Sequence, residues 1–134
     1  MSQLSLISLI VADYDEAIAF FTGLLEFELV EDSPSVSTYT GVAKRWIIVR
    51  PPGAETGVLL AKADGELQRA AIGNQFAGRV GLFYTVDDFE RMHAKLKAGG
   101  VEFLTEARDE PYGRVAVFRD LAGNRWDLLG PDPR

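Results

Sequence analysis

Two stretches of this chain follow one plan. Residues 6–32, LISLIVADYDEAIAFFTGLLEFELVED, and residues 81–107, GLFYTVDDFERMHAKLKAGGVEFLTEA, each run from an apolar strand ending in Val to an Asp-rich cap. An amphipathic helix follows, and then a second strand after glycine or a short break. Val11 answers to Val86, Asp13 to Asp88 and Tyr14 to Phe89, an offset of 75 residues. Few identities survive, so the shared pattern is physical. A half of about 60 residues buries little apolar surface alone. The repeat therefore predicts two copies packed through their sheets.

Local chemistry fills in the plan. In the first copy Asp13 can cap the helix with Glu16 three residues on, the spacing of a capping box. Ala17, Phe20, Phe21, Leu24 and Leu25 then recur at helical spacing and define a buried stripe. In the second copy Asp87 is the expected cap with Glu90 three residues on. There Phe89, Met92 and Leu96 form the stripe, and Gly99-Gly100 ends it. Strands are expected at 27–31, 45–50 and 57–63, and again at 101–107, 114–119 and 125–129. The turns PPG at 51–53 and DLAGN at 120–124 each precede the last strand of a copy. Both halves thus read β-α-β-β-β: residues 1–63, a linker at 64–78 with room for one helical turn, and residues 79–134. The expected fold is α+β, a single domain of duplicated βαβββ modules. They form a curved, mostly antiparallel eight-stranded sheet with helices outside.

Composition narrows the function. The chain has 134 residues, 47% hydrophobic and 25% charged, with a formal net charge of −6. Its basic residues cluster no more densely than Lys44-Arg45, too little for a phosphate-binding face, so no nucleic-acid partner is expected. Without cysteine there is no disulfide, thiolate nucleophile or Cys-bound zinc. The apolar run LSLISLIVA is too short for a signal peptide or a span. A cytoplasmic location without membrane association follows as the default expectation.

The stretches VADYDEAIAFFTGLLEF, VDDFERMHAKLKAGGVEF and EPYGRVAVFRDLAGNRWDLL, set in this duplication, resemble the vicinal-oxygen-chelate superfamily. That superfamily includes glyoxalase I, bleomycin-resistance proteins, fosfomycin-resistance enzymes and extradiol dioxygenases. The resemblance covers nearly the whole chain, and PYG…FRDLAGNRWDL is its most specific part. It implies the fold; function is not implied by fold alone.

In catalytic members, the resemblance implies, a divalent metal is held by the first and last strands of each repeat. Those positions fall here at Leu6, at Gly81, among Val58–Leu60, and at Asp127. Only Asp127 carries a donor, one methylene shorter than the usual Glu. A catalytic Zn²⁺ or Fe²⁺ needs about three protein ligands, and the chain holds one histidine, His93, expected mid-helix and partly exposed. No metal, cofactor or catalytic residue is therefore assigned.

The resemblance further implies that Leu6 and Gly81 point into the cavity. Strand alternation then brings Ser8, Phe83 and Thr85 to the same side, and sets Arg125, Asp127 and Leu129 opposite Trp126 and Leu128. Tyr112 and the pair Arg45 and Trp46 are candidates for the rim, and residues 73–75 read as linker. The expected ligand contacts are Leu6, Ser8, Arg45, Trp46, Phe83, Thr85, Tyr112, Arg125 and Asp127. Asp127 is expected to pair with Arg114, Arg125 or Arg45. The leading expectation is a metal-independent small-molecule binding protein of this type, acting as a homodimer. The alternative is a glyoxalase-like lyase or dioxygenase with an atypical site built on Asp127, Glu55 and water.

Overall fold

The computed structural model describes residues 1–131 and divides into two compact units, one ending at Ile72 and the other beginning at Gly73. The division falls inside the stretch read as linker. The first unit contains β1 (Leu6–Val11), α1 (Tyr14–Ala19), β2 (Glu28–Val36), β3 (Ala43–Arg50), β4 (Gly57–Lys62) and α2 (Glu66–Ala71). The second contains β5 (Val80–Thr85), α3 (Phe89–Ala98), β6 (Arg108–Glu110), β7 (Gly113–Arg119) and β8 (Arg125–Gly130).

The strands form two four-stranded sheets, ordered β1-β4-β3-β2 and β5-β8-β7-β6. In each, the helix carries the chain to the far edge and an antiparallel meander returns it beside the first strand. The last strand therefore lies parallel to the first, and the other two pairings are antiparallel. The α+β class, the duplication and the mostly antiparallel pairing hold. The eight strands expected in one sheet are hydrogen-bonded as two sheets of four.

Helix starts follow the repeat offset. The Asp13 carboxylate accepts the Glu16 N–H at 2.8 Å, and the Asp88 carboxylate accepts the Arg91 N–H at 3.1 Å. Asp88, 75 residues after Asp13, is thus the cap in place of the expected Asp87. The first helix loosens into a π-helical turn over Phe20–Leu24, where the Leu25 N–H reaches back to the Phe20 carbonyl. This turn buries both Phe20 and Phe21.

The largest departure lies between α3 and β7. The expected strand at 101–107 is irregular, touching β7 through a single bridge at Phe103 and Phe118, and β6 begins only at Arg108. Thr105 supplies a physical reason: its hydroxyl accepts the Val117 N–H at 3.0 Å, taking a donor that a regular ladder would use.

Each sheet buries the face carrying its helix. In the first unit that layer holds Leu9, Val11, Phe21, Leu25, Ile47, Val49 and Leu60; in the second, Leu82, Phe89, Met92, Leu96, Phe118, Trp126 and Leu128. The helix α3 lies so close to β8 that a Cβ at Gly130 would stand 2.5 Å from the Cβ of Phe89. Only glycine permits that approach.

The DLAGN turn explains its own sequence. Asp120 is 6% exposed, and its Oδ1 accepts three backbone N–H groups, from Ala122 at 2.9 Å, Gly123 at 3.0 Å and Asn124 at 3.0 Å. Its Oδ2 accepts the Trp126 indole N–H at 2.9 Å and the Asn124 side-chain amide at 3.2 Å. A buried carboxylate is tolerable because donors saturate it.

Candidate functional site

In the second unit the face opposite the helix carries the chemistry. Strand register sets Phe83 beside Asp127, and Asp127 beside Val117, in one row across β5, β8 and β7. Burial along β8 alternates, with Trp126 and Leu128 buried and Arg125, Asp127 and Leu129 half-buried. That is the alternation the sequence predicts. Thr85 is exposed on the same face, and Phe83 keeps 64% of its surface exposed.

Asp127 has no hydrogen bond or ion pair among the described residues. Burial pushes its carboxyl above the usual aspartate value, and the nearby Arg108 charge opposes that shift. The expected pairing is not formed. Arg114 is drawn to Glu90 and Asp109, at 2.7 and 2.8 Å, and Arg45 to Asp32 and Asp15, at 2.7 and 3.0 Å. Asp127 is therefore a half-buried carboxylate beside an exposed phenyl ring, free to meet a donor from outside the chain.

The donor set does not fit a metal. Among the described residues no three of His, Asp and Glu converge on a point, and Glu55 is exposed in the turn before β4. At Gly81, a side chain of any kind is excluded. Gly81 lies at the irregularity where β5 shifts register against β8. A Cβ there would stand 2.3 Å from the ring of Phe76. The aromatic ring thus occupies the space a second-repeat ligand would need. Residues 73–76 are more than linker: a Cβ on Gly73 would press to 2.1 Å from the Ala122 carbonyl, so the segment lies directly against the DLAGN turn. A lone aromatic between glycines was the signal available in GNQFAG. Its contact with Gly81 is tertiary and unreadable from the letters.

His93 is a packing residue. Its ring lies 5.6 Å from Phe89 and 4.2 Å from Phe103. Desolvation, helped by Lys97, lowers its pKa, which leaves a largely neutral aromatic in the helix layer at pH 7.

In the first unit Leu6 and Ser8 lie on β1, opposite Gly57 and Leu59 of β4. Leu6 is half-buried and Ser8 exposed. Arg45 and Trp46, adjacent on β3, leave the sheet on opposite sides. Arg45 turns toward α1, where its backbone N–H donates to the Tyr14 hydroxyl at 3.3 Å and its guanidinium crosses the Tyr14 ring at 5.3 Å. Both residues border a cleft of about 470 Å³ at the end of the sheet where β1 and β4 finish and β3 begins. Tyr112 sits in the two-residue turn joining β6 and β7, exposed and close to Arg108.

Comparisons with known proteins agree with this architecture. A relative from Shewanella frigidimarina, itself an uncharacterised protein, is 46% identical over 125 residues, spanning 92% of this chain and 89% of that one. The crystal structure of TnmS3, an antibiotic binding protein from Streptomyces sp. CB03234, superposes with a TM-score of 0.77 at 29% identity and covers 98% of both chains. That of UcmS2 gives a TM-score of 0.76 at 30% identity, covering 96% of this chain and 98% of its own. The family model Glyoxalase/Bleomycin resistance protein/Dioxygenase superfamily matches residues 3–128. The chain, by sequence model and by fold, belongs to the glyoxalase/bleomycin resistance protein/dioxygenase superfamily.

Proposed function

We propose that this protein binds and sequesters a small organic molecule without the help of a metal, acting in the cytoplasm as a homodimer. The ligand rests on the sheet face of the second unit, where Phe83, Thr85, Arg125 and Asp127 supply an aromatic platform, a hydroxyl, a cation and a carboxylate. The observation that carries the reading is the pairing of an exposed phenyl ring with an adjacent half-buried, partnerless carboxylate. Burying a carboxylate without a partner is costly. A ligand donor at Asp127 offsets that cost while its ring system covers Phe83. The antibiotic binding of TnmS3, whose fold this chain shares at 29% identity, supports the same class of activity.

The test is a thermal-shift screen of planar aromatic compounds with and without hydrogen-bond donors, repeated with Asp127→Asn and Phe83→Ala. A ligand at 100 times its dissociation constant stabilises by about 2.7 kcal/mol, and both variants are expected to lose that gain. Parallel reconstitution with Zn²⁺, Ni²⁺ and Fe²⁺ is expected to give no stoichiometric uptake. One equivalent of metal, retained by the wild type and lost in Asp127→Asn, would overturn the proposal.

A further inference from the structure

The 470 Å³ cleft of the first unit is built by different chemistry from the Phe83–Asp127 face. Its volume lies in the range of small-molecule sites. Ile10, Leu59 and Ala61 give it an apolar floor, and Trp46 and Tyr39 contribute aromatic surface from β3 and from the β2–β3 hairpin. Trp46 is 39% exposed and Tyr39 is 97% exposed, so neither ring is consumed by the core.

Charge sets the cleft apart from the rest of the protein. The chain has 20 acidic residues and 14 Lys and Arg, yet the lining includes Lys44, Arg45 and Lys62 and no carboxylate. The charge of Arg45 is already matched by Asp32 and Asp15. Lys44 has only a loose neighbour, Asp64 at 3.9 Å. Lys62 is exposed and has no ion pair among the described residues. Two largely unspent ammonium groups therefore border an aromatic, apolar cleft on an otherwise acidic protein.

We infer that this cleft is a second ligand site, specific for a planar aromatic anion whose ring packs against Trp46 and Tyr39 and whose acid group meets Lys62 and Lys44. It concerns the first unit alone and does not depend on the Asp127 site. An apolar floor with aromatic walls favours a flat ring over an aliphatic acid. The ammonium groups favour the charged form over a neutral isostere.

The experiment is isothermal titration of the full chain with 2-naphthoate and with its neutral isostere 2-naphthamide, at low and high salt. Wild type, Lys62→Gln, Trp46→Phe and Asp127→Asn are compared, each checked for fold by circular dichroism. Wild type is expected to bind the acid about fivefold more tightly than the amide, the size of a favourable exposed charge pair. Added salt and Lys62→Gln are each expected to erase that preference. Trp46→Phe is expected to weaken both compounds. Equal affinity for acid and amide, absence of binding, or a preference that survives Lys62→Gln would overturn the inference. Loss of naphthoate binding in Asp127→Asn but not in Lys62→Gln would assign the ligand to the second unit instead, refuting this site while leaving the other.

Discussion

Replacing Asp120 by Asn tests whether a saturated buried carboxylate holds the end of β7 against the start of β8. The wild-type side chain accepts five hydrogen bonds within the turn and the adjoining strand. In the variant the remaining oxygen can still serve the three backbone N–H groups. The new amide, however, points its own hydrogens at the Trp126 indole N–H. Asn124 can relieve its half of the conflict, because its Oδ1 is buried without a partner and can accept once the amide flips. Trp126 cannot, since an indole only donates. One buried donor is thus orphaned and the remaining bonds lose their ionic character, a cost of about 2–3 kcal/mol. Against a domain stability of about 5–15 kcal/mol, that is a large fraction. Asp120→Ala, which strands all five donors, is expected to cost more, on the order of 4 kcal/mol. Urea denaturation followed by circular dichroism measures both. The decisive comparison is the double-mutant cycle with Trp126→Phe. If the indole clash dominates, Asp120→Asn becomes cheaper by about 1–2 kcal/mol once the indole is gone. An Asp120→Asn variant within about 0.5 kcal/mol of wild type, or a cycle without coupling, would refute this account.

Two further predictions rest on single positions. Gly81→Ala is expected to destabilise by about 1–3 kcal/mol through overpacking against Phe76; in a Phe76→Ala background the same change should cost little, and equal costs in both backgrounds would show that the ring is not the obstacle. Because the folded-state pKa of Asp127 is raised, the folded chain holds this proton more tightly than the unfolded chain. Its contribution to stability is therefore lost as pH rises from the ordinary value of about 3.9 through the raised one. Asp127→Asn is expected to be more stable than wild type above that window and equal to it below, as read from melting temperature against pH.

The repeat made the architecture legible because each copy carries its own punctuation: a capping carboxylate, a stripe at helical spacing, and turns rich in Pro, Gly and Asn. Alternation along β8 was equally plain, since a strand has only two faces. Three things were not legible. The Asp87 and Asp88 side chains are equally able caps by composition, and only the geometry of the turn after Val86 chooses. The 101–107 stretch has strand-like letters, but Thr105 bonds locally and breaks the ladder. At the candidate site the sequence identified Asp127 but not its isolation. Which arginine reaches which carboxylate depends on tertiary distances, and Arg114 and Arg45 are spent elsewhere. Phe76 went unweighed for the same reason.

The ring of Phe76 over Gly81 has a consequence for descent. To acquire an imidazole at position 81, a lineage must first vacate the aromatic at 76. That first step exposes a hole before any reward arrives, and the reverse order inserts bulk where none fits. Two individually harmful substitutions therefore stand between this chain and an imidazole at position 81.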